Sequence, residues 1–232
     1  MEKKYNTLIF LFVAFLFISL AGFYRSYFQY FPYFKNTTPF THIHFVIFLS
    51  WFAVLIWQPI LIKHKNFALH RKVGRISYFL APAMVISILV IVKLNIANNL
   101  TLSGGQAAVA AAGAVLDAVF FSVFYIAGVV NRHKIRMHVA FLTGASLIVL
   151  NPGLGRLVSN MFHQDMGVPA MAITPYLVAI SIIVYEKFKL KRAVLKSPYL
   201  FIILFWTLEL VFFIALSGAG FWKEFIVKVA AI

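Results

Sequence analysis

HFVIFLSWFAVLIWQPILIKHKNFALHRKVG, residues 44–74, decides how the rest of the chain is to be read. Its first part is an apolar run of about one bilayer thickness, and that run carries His44, Trp51 and Gln58 at steps of seven. Seven residues are close to two helical turns, so these three side chains stack along one face of a single helix. A short basic loop follows, and His70 and Arg71 then open the next apolar run, with Gly74 just beyond.

Outward from this stretch, apolar runs of spanning length lie at roughly 7–23, 42–62, 74–94, 105–130, 138–160, 169–185 and 198–217. They are long enough for about seven transmembrane helices. Only helices or closed barrels span lipid, and these runs are too long and too unalternating for barrel strands. The expected fold is therefore all-α: an integral membrane bundle of about seven helices, forming a single transmembrane domain over residues 1–232. Composition agrees, because a chain that is 62% hydrophobic and 12% charged has too little polar surface for a water-soluble globule.

The absence of cysteine excludes disulfides, thiolate metal sites and iron–sulfur clusters. No glycine-rich phosphate loop is present, and there is no room for a soluble catalytic domain. The formal charge of +15 does not signal a nucleic-acid partner, because the basic residues gather in particular loops. Fifteen of the 21 lysines and arginines fall on one side of the bilayer, among them Lys3, Lys4, Lys63, Arg71, Arg136 and Arg192. The positive-inside rule makes that side cytoplasmic, with the N-terminus inside and the C-terminus outside.

The first run is read as a retained helix. A secretory signal is the alternative, since Lys3 and Lys4 precede an apolar core and SLAG at 19–22 offers a small-residue cleavage site. Residues 23–40, FYRSYFQYFPYFKNTTPF, form an aromatic connector suited to the headgroup level on the outer side. Pro82 is expected to kink the third helix. The run GGQAAVAAAGAVLDAVF at 104–120 offers a small-residue face for close helix approach. Asn151, Pro152, Gly153 and Gly155 are expected to break or bend the fifth helix.

Polar groups inside a membrane are expensive and usually face the bundle interior. In the outer half these are His44, Asp117, Asn151, Arg156 and Glu209. A carboxyl group there must be paired or neutralised, and Arg156 is the cation within reach, so a pair with Asp117 or Glu209 is expected. The same residues with Trp51 form the candidate ligand pocket, opening outward and linked to a small ligand or to protons. His42, His44, His163 and Asp165 have the ligand types zinc prefers, against interfacial side chains that simply meet water and headgroups. On the inner side His70 and His138 open neighbouring helices at similar depth, as a bis-histidine haem requires. The alternative is that each merely ends a helix. Gln58, followed by Pro59, either holds a freed carbonyl or reaches His70 or His138.

The spacing of His44, Trp51, Gln58, His70, Arg71 and Gly74 resembles a widespread group of uncharacterised bacterial membrane proteins. Their second signature is matched by His138, Pro152 and Arg156. Together the two signatures cover about half the chain, from the second helix to the fifth. The group is similar to a predicted membrane domain of unknown function with a His-Arg-x-x-Gly element. More distantly it is similar to the four-helix core of transmembrane b-type cytochromes. The resemblance implies a multi-pass protein of the bacterial inner membrane. It implies haem b on His70 and His138, with Arg71 near a propionate and Gln58 close by. The chain departs from that pattern in two places. The fourth helix offers no histidine, and Val139, Ala140 and Phe141 follow His138 where basic and methionine residues are usual.

Three classes of function remain open at this level. They are a haem- or redox-associated membrane protein, a binding or transport protein for a small ligand, metal or protons, and a structural or assembly subunit with membrane-protein partners.

Overall fold

Backbone N–H and C=O groups in hydrocarbon must be satisfied within their own segment, and the apolar runs do this as helices. The computed structural model describes residues 5–34, 37–99 and 104–230, and no strand occurs among them. In order the helices are α1 (Tyr5–Gly22), α2 (Pro39–Lys63), α3 (Phe67–Asn99), α4 (Gly104–Val130), α5 (Ile135–Met161), α6 (Gly167–Leu190), α7 (Leu200–Gly218) and α8 (Gly220–Ala230). The first seven are long and apolar enough to cross a membrane, so the chain is an all-α, polytopic membrane protein. Lys3, Lys4, Lys35 and Asn36, which entered the charge and connector readings, lie outside the described residues.

The helix ends follow local chemistry. Thr38 caps α2 by accepting the Thr41 N–H at 3.3 Å, with Pro39 in the first turn. The Asn66 side chain accepts the Leu69 N–H at 3.1 Å and starts α3 ahead of its apolar run. His70 and Arg71 therefore lie in the first turn of α3, and His138 in the first turn of α5. At the end of α6, Lys191 takes the left-handed conformation (φ 53°) and its N–H returns to the Glu186 carbonyl.

Of the break or bend expected at Asn151–Gly155, the break does not occur: α5 runs as one helix through Pro152. The glycines there act as spacers. A Cβ on Gly153 would lie 2.6 Å from the Ser19 Cα of α1, and one on Gly155 would lie 2.6 Å from Met171 Sδ of α6. Helix α3 likewise continues through Pro82. Almost every side chain of α5 from Ala140 to Asn151 is buried, so this helix meets neighbours on all sides.

Packing follows a ring. Helix α1 packs on α2, α2 on α3, α3 on α4, α4 on α5, and α5 returns to α1. Helices α6 and α7 lie against the α4–α5 side, and α8 against α3, α4 and α7. Trp51 is almost wholly buried and reaches from α2 to α4, with its ring 4.9 Å from Phe121 and 5.8 Å from Tyr125. The small-residue face of α4 receives α8: Ala108, Ala111 and Ala112 pack with Trp222 and Ile226. The Trp222 Nε1–H donates to the Ala108 carbonyl at 2.8 Å. At 11 residues α8 is too short to span, and it left no mark in the hydropathy reading.

The α1–α5 contact yields a prediction. Gly153→Ala should lower stability by about 1–3 kcal/mol, because the new methyl meets backbone rather than a flexible side chain. Gly218→Ala, where nothing lies within 4 Å of the added atom, should leave the melting temperature unchanged. Thermal unfolding of the two variants in one detergent makes the comparison.

Candidate functional site

Helices α4 and α7 pack together, and where they meet, the carboxyl groups of Asp117 and Glu209 come within hydrogen-bonding range of each other. Aromatic contacts between the same helices flank the pair: Phe120 with Phe212 at 6.5 Å and Phe124 with Phe205 at 5.4 Å. Glu209 is buried, and no hydrogen-bond donor among the described residues reaches its Oε2. An ionised carboxylate only accepts, so the Asp117–Glu209 bond requires a proton on one of the two.

The expected ion pair with Arg156 is not made. Arg156 donates from Nη1 to the Pro152 carbonyl at 2.9 Å and lies 4.7 Å from the Phe23 ring centroid. A carbonyl one turn back and an aromatic face satisfy the guanidinium locally. Five of the six residues of the candidate pocket thus find separate partners: His44 a serine on α3, Trp51 the rings of α4, Asp117 and Glu209 each other, and Arg156 its own helix. Asn151 is buried on α5, and its Oδ1 has no partner among the described residues.

A second polar grouping runs along α2, α3 and α4. Ser87 gives its proton to the Met84 carbonyl at 2.8 Å, so His44 Nδ1–H donates to Ser87 Oγ at 2.9 Å and leaves Nε2 as the acceptor. Nearer the basic end, Ser77 donates to the Gly74 carbonyl at 2.6 Å and accepts from the Tyr125 hydroxyl at 2.9 Å. The Gln58 amide lies against Gly74 and donates to the His70 carbonyl at 3.2 Å. Gln58 is thereby engaged with the backbone of α3 rather than with a carbonyl of its own helix. The His138 Nδ1–H donates to the Gly128 carbonyl at 2.8 Å, which frees Nε2. Two buried atoms of this grouping, Trp51 Nε1 and His70 Nδ1, have no partner among the described residues. Arg71 is exposed in the first turn of α3.

At the other end of the bundle the four residues considered for zinc do not gather. The Tyr27 hydroxyl donates to His42 Nδ1 at 2.6 Å, and the Thr37 hydroxyl, already donating to the Phe34 carbonyl, accepts from His42 Nε2 at 3.3 Å. Both nitrogens of His42 are therefore engaged. Burial pushes the Tyr27 hydroxyl above its ordinary pKa, which keeps it a donor. His163 and Asp165 pair with each other at 3.2 Å, both well exposed. Among the described residues no three His, Cys, Asp or Glu side chains converge to hold a metal. The aromatic connector packs onto α2 instead: Tyr27 contacts Phe34 and Phe45, each at 4.9 Å.

The sequence reading missed Glu186. Its carboxylate, 1% exposed, accepts from Arg136 Nη2 at 2.9 Å, Arg192 Nη1 at 2.8 Å and the Ser197 hydroxyl at 2.7 Å. It ties α5, α6 and the turn before α7 together at the basic end. The available signal was a single acid ahead of Lys187, Lys189, Lys191 and Arg192 at the end of an apolar run.

Comparison of the chain with protein-family models, with curated proteins and with solved structures finds no match. The reading of function accordingly rests on geometry.

Glu186→Ala should cost about 3 kcal/mol or more, since it strips a partner from two guanidinium groups at once. Arg192→Ala leaves Arg136 and Ser197 in place and should cost about 1 kcal/mol. Chemical unfolding of both variants checks that order.

Proposed function

We propose that this chain is a proton-linked transport protein of a bacterial cytoplasmic membrane, with its basic end facing the cytoplasm. Its proton-binding group is the Asp117–Glu209 pair. The observation that carries this reading is the approach of two carboxyl groups to hydrogen-bonding range within the spanning helices, with no cation paired to either among the described residues. Such a bond holds one proton, and losing it leaves two like charges in a medium where each costs several kcal/mol. Separation of α7 from α4 exchanges that internal bond for contact with another acceptor, so helix movement and proton release are linked.

Proteoliposomes with a pH-sensitive dye inside test the reading. Wild-type protein should dissipate an imposed pH gradient at least tenfold faster than Glu209→Gln or Asp117→Asn, each of which keeps a hydrogen bond but carries no titrating pair. Equal rates in wild type and both variants would overturn it.

A second reading has its own observation. His138 is held by Nδ1 with Nε2 free, the arrangement that usually orients a metal-bound histidine. His70 lies within electrostatic range of it with Nδ1 buried and unbonded. The donor set fits haem b: His70 and His138 would hold the group and Arg71 would offset its negative charge. Bound haem would supply one-electron transfer at the basic end. Protein expressed with ample haem should then show a Soret band that His138→Ala removes, and a colourless wild-type protein would exclude this reading.

A further inference from the structure

A groove of about 460 Å³ opens between the basic ends of α1 and α2. Its wall on α1 is one helical stripe, Asn6, Ile9, Phe10 and Val13, and its wall on α2 includes Ile60, Lys63 and His64. The lining changes character along its length. Ile9, Phe10, Val13 and Ile60 are apolar, whereas Asn6, Lys63 and His64 gather at the end where α1 begins and α2 stops.

Phe10 is 74% exposed, and Lys63 and His64 are also exposed, so the groove opens to the surroundings of the bundle. Among the described residues no acidic side chain lines it. An amphiphile of matching polarity has an apolar chain for the stripe and an anionic head for the ammonium, amide and imidazole groups.

We propose that this groove seats one anionic phospholipid, its acyl chain along Ile9, Phe10 and Val13 and its phosphate at Lys63 and His64. A zwitterionic lipid has the same chain, but its own ammonium group offsets the charge that Lys63 recognises. A lysine at the membrane surface contributes about a fivefold preference for an acidic lipid, and the groove adds a fixed position for the chain. The site lies on α1 and α2, apart from the Asp117–Glu209 pair, so the proposal does not depend on proton transport.

Native mass spectrometry of delipidated protein titrated with phosphatidylglycerol or phosphatidylcholine tests it. One phosphatidylglycerol should be retained at least fivefold more tightly than phosphatidylcholine. Lys63→Ala/His64→Ala should erase that preference. Val13→Trp, which fills the apolar part, should weaken both lipids. Lys72→Ala changes an exposed charge in the second turn of α3, outside the groove, and should change neither. Equal retention of the two lipids by the wild type would overturn the proposal. So would a preference that survives in Lys63→Ala/His64→Ala, undiminished binding of both lipids in Val13→Trp, or a preference that falls equally in Lys72→Ala, which marks general attraction to a basic surface.

Discussion

A polar atom in hydrocarbon has no water to turn to, and this constraint sorts the side chains of the bundle. Several hydroxyl groups meet it within their own helix. Ser50, Ser122, Thr143, Ser146 and Thr207 each donate to the carbonyl four residues back. Such residues can stand anywhere on a spanning helix, and they say little about which helices are neighbours. Carboxyl groups have no equivalent local solution, because a carboxylate needs a donor and helix N–H groups are already engaged. Glu186 obtains two guanidinium groups and a hydroxyl, whereas Asp117 and Glu209, among the described residues, obtain only each other. The first arrangement is saturated and suits a structural clasp. The second is one proton away from two uncompensated charges.

The assembly that holds these groups in place depends on close backbone approach more than on burial of apolar area, since lipid tails are as apolar as leucine. Helix α5 makes this concrete. Its glycines admit α1 and α6 to distances that a single methyl would forbid, and Gly144 lies under the Phe124 ring, 2.5 Å from where a Cβ would sit. Helices α1, α4, α6 and α7 all pack on α5, so it fixes where Asp117 of α4 and Glu209 of α7 stand. Pro152 does not undo this role, because the helix on either side is clamped.

Hydropathy made the seven long helices legible, with ends displaced by several residues where a polar cap or charged first turn extended a helix beyond its apolar run. The seven-residue steps of His44, Trp51 and Gln58 did mark one meaningful stripe, since all three meet α3 or α4. Pairing was not legible. The sequence offered Arg156 as partner for either acid because charge complementarity is its only guide to distance, while the fold brought α7 beside α4 and left Arg156 a local carbonyl. His42 and His44 are close in sequence, yet one faces the aromatic connector and the other α3. Two steps along a helix turn a side chain through more than half a revolution. Glu186 stayed hidden because its arginines come from different connections, and α8 because its burial depends on alanines of α4 rather than on its own length.

The two principal polar groupings share α4, and this has a mechanical consequence. At 100° per residue, Phe124 lies close to the direction of Asp117, while Phe121 and Tyr125 are turned to one side of it. The first two meet α7, and the others meet Trp51 of α2 and Ser77 of α3. A rotation of α4 that draws Asp117 away from Glu209 therefore also drags the Tyr125 hydroxyl relative to Ser77 and the ring stack on Trp51. Close packing resists continuous deformation of this kind and favours discrete arrangements. The carboxyl pair and the hydrogen bonds of the α2–α3–α4 seam are thus placed on adjoining faces of one helix, so a rotation of α4 about its axis moves both, whereas a displacement of α7 alone moves only the first.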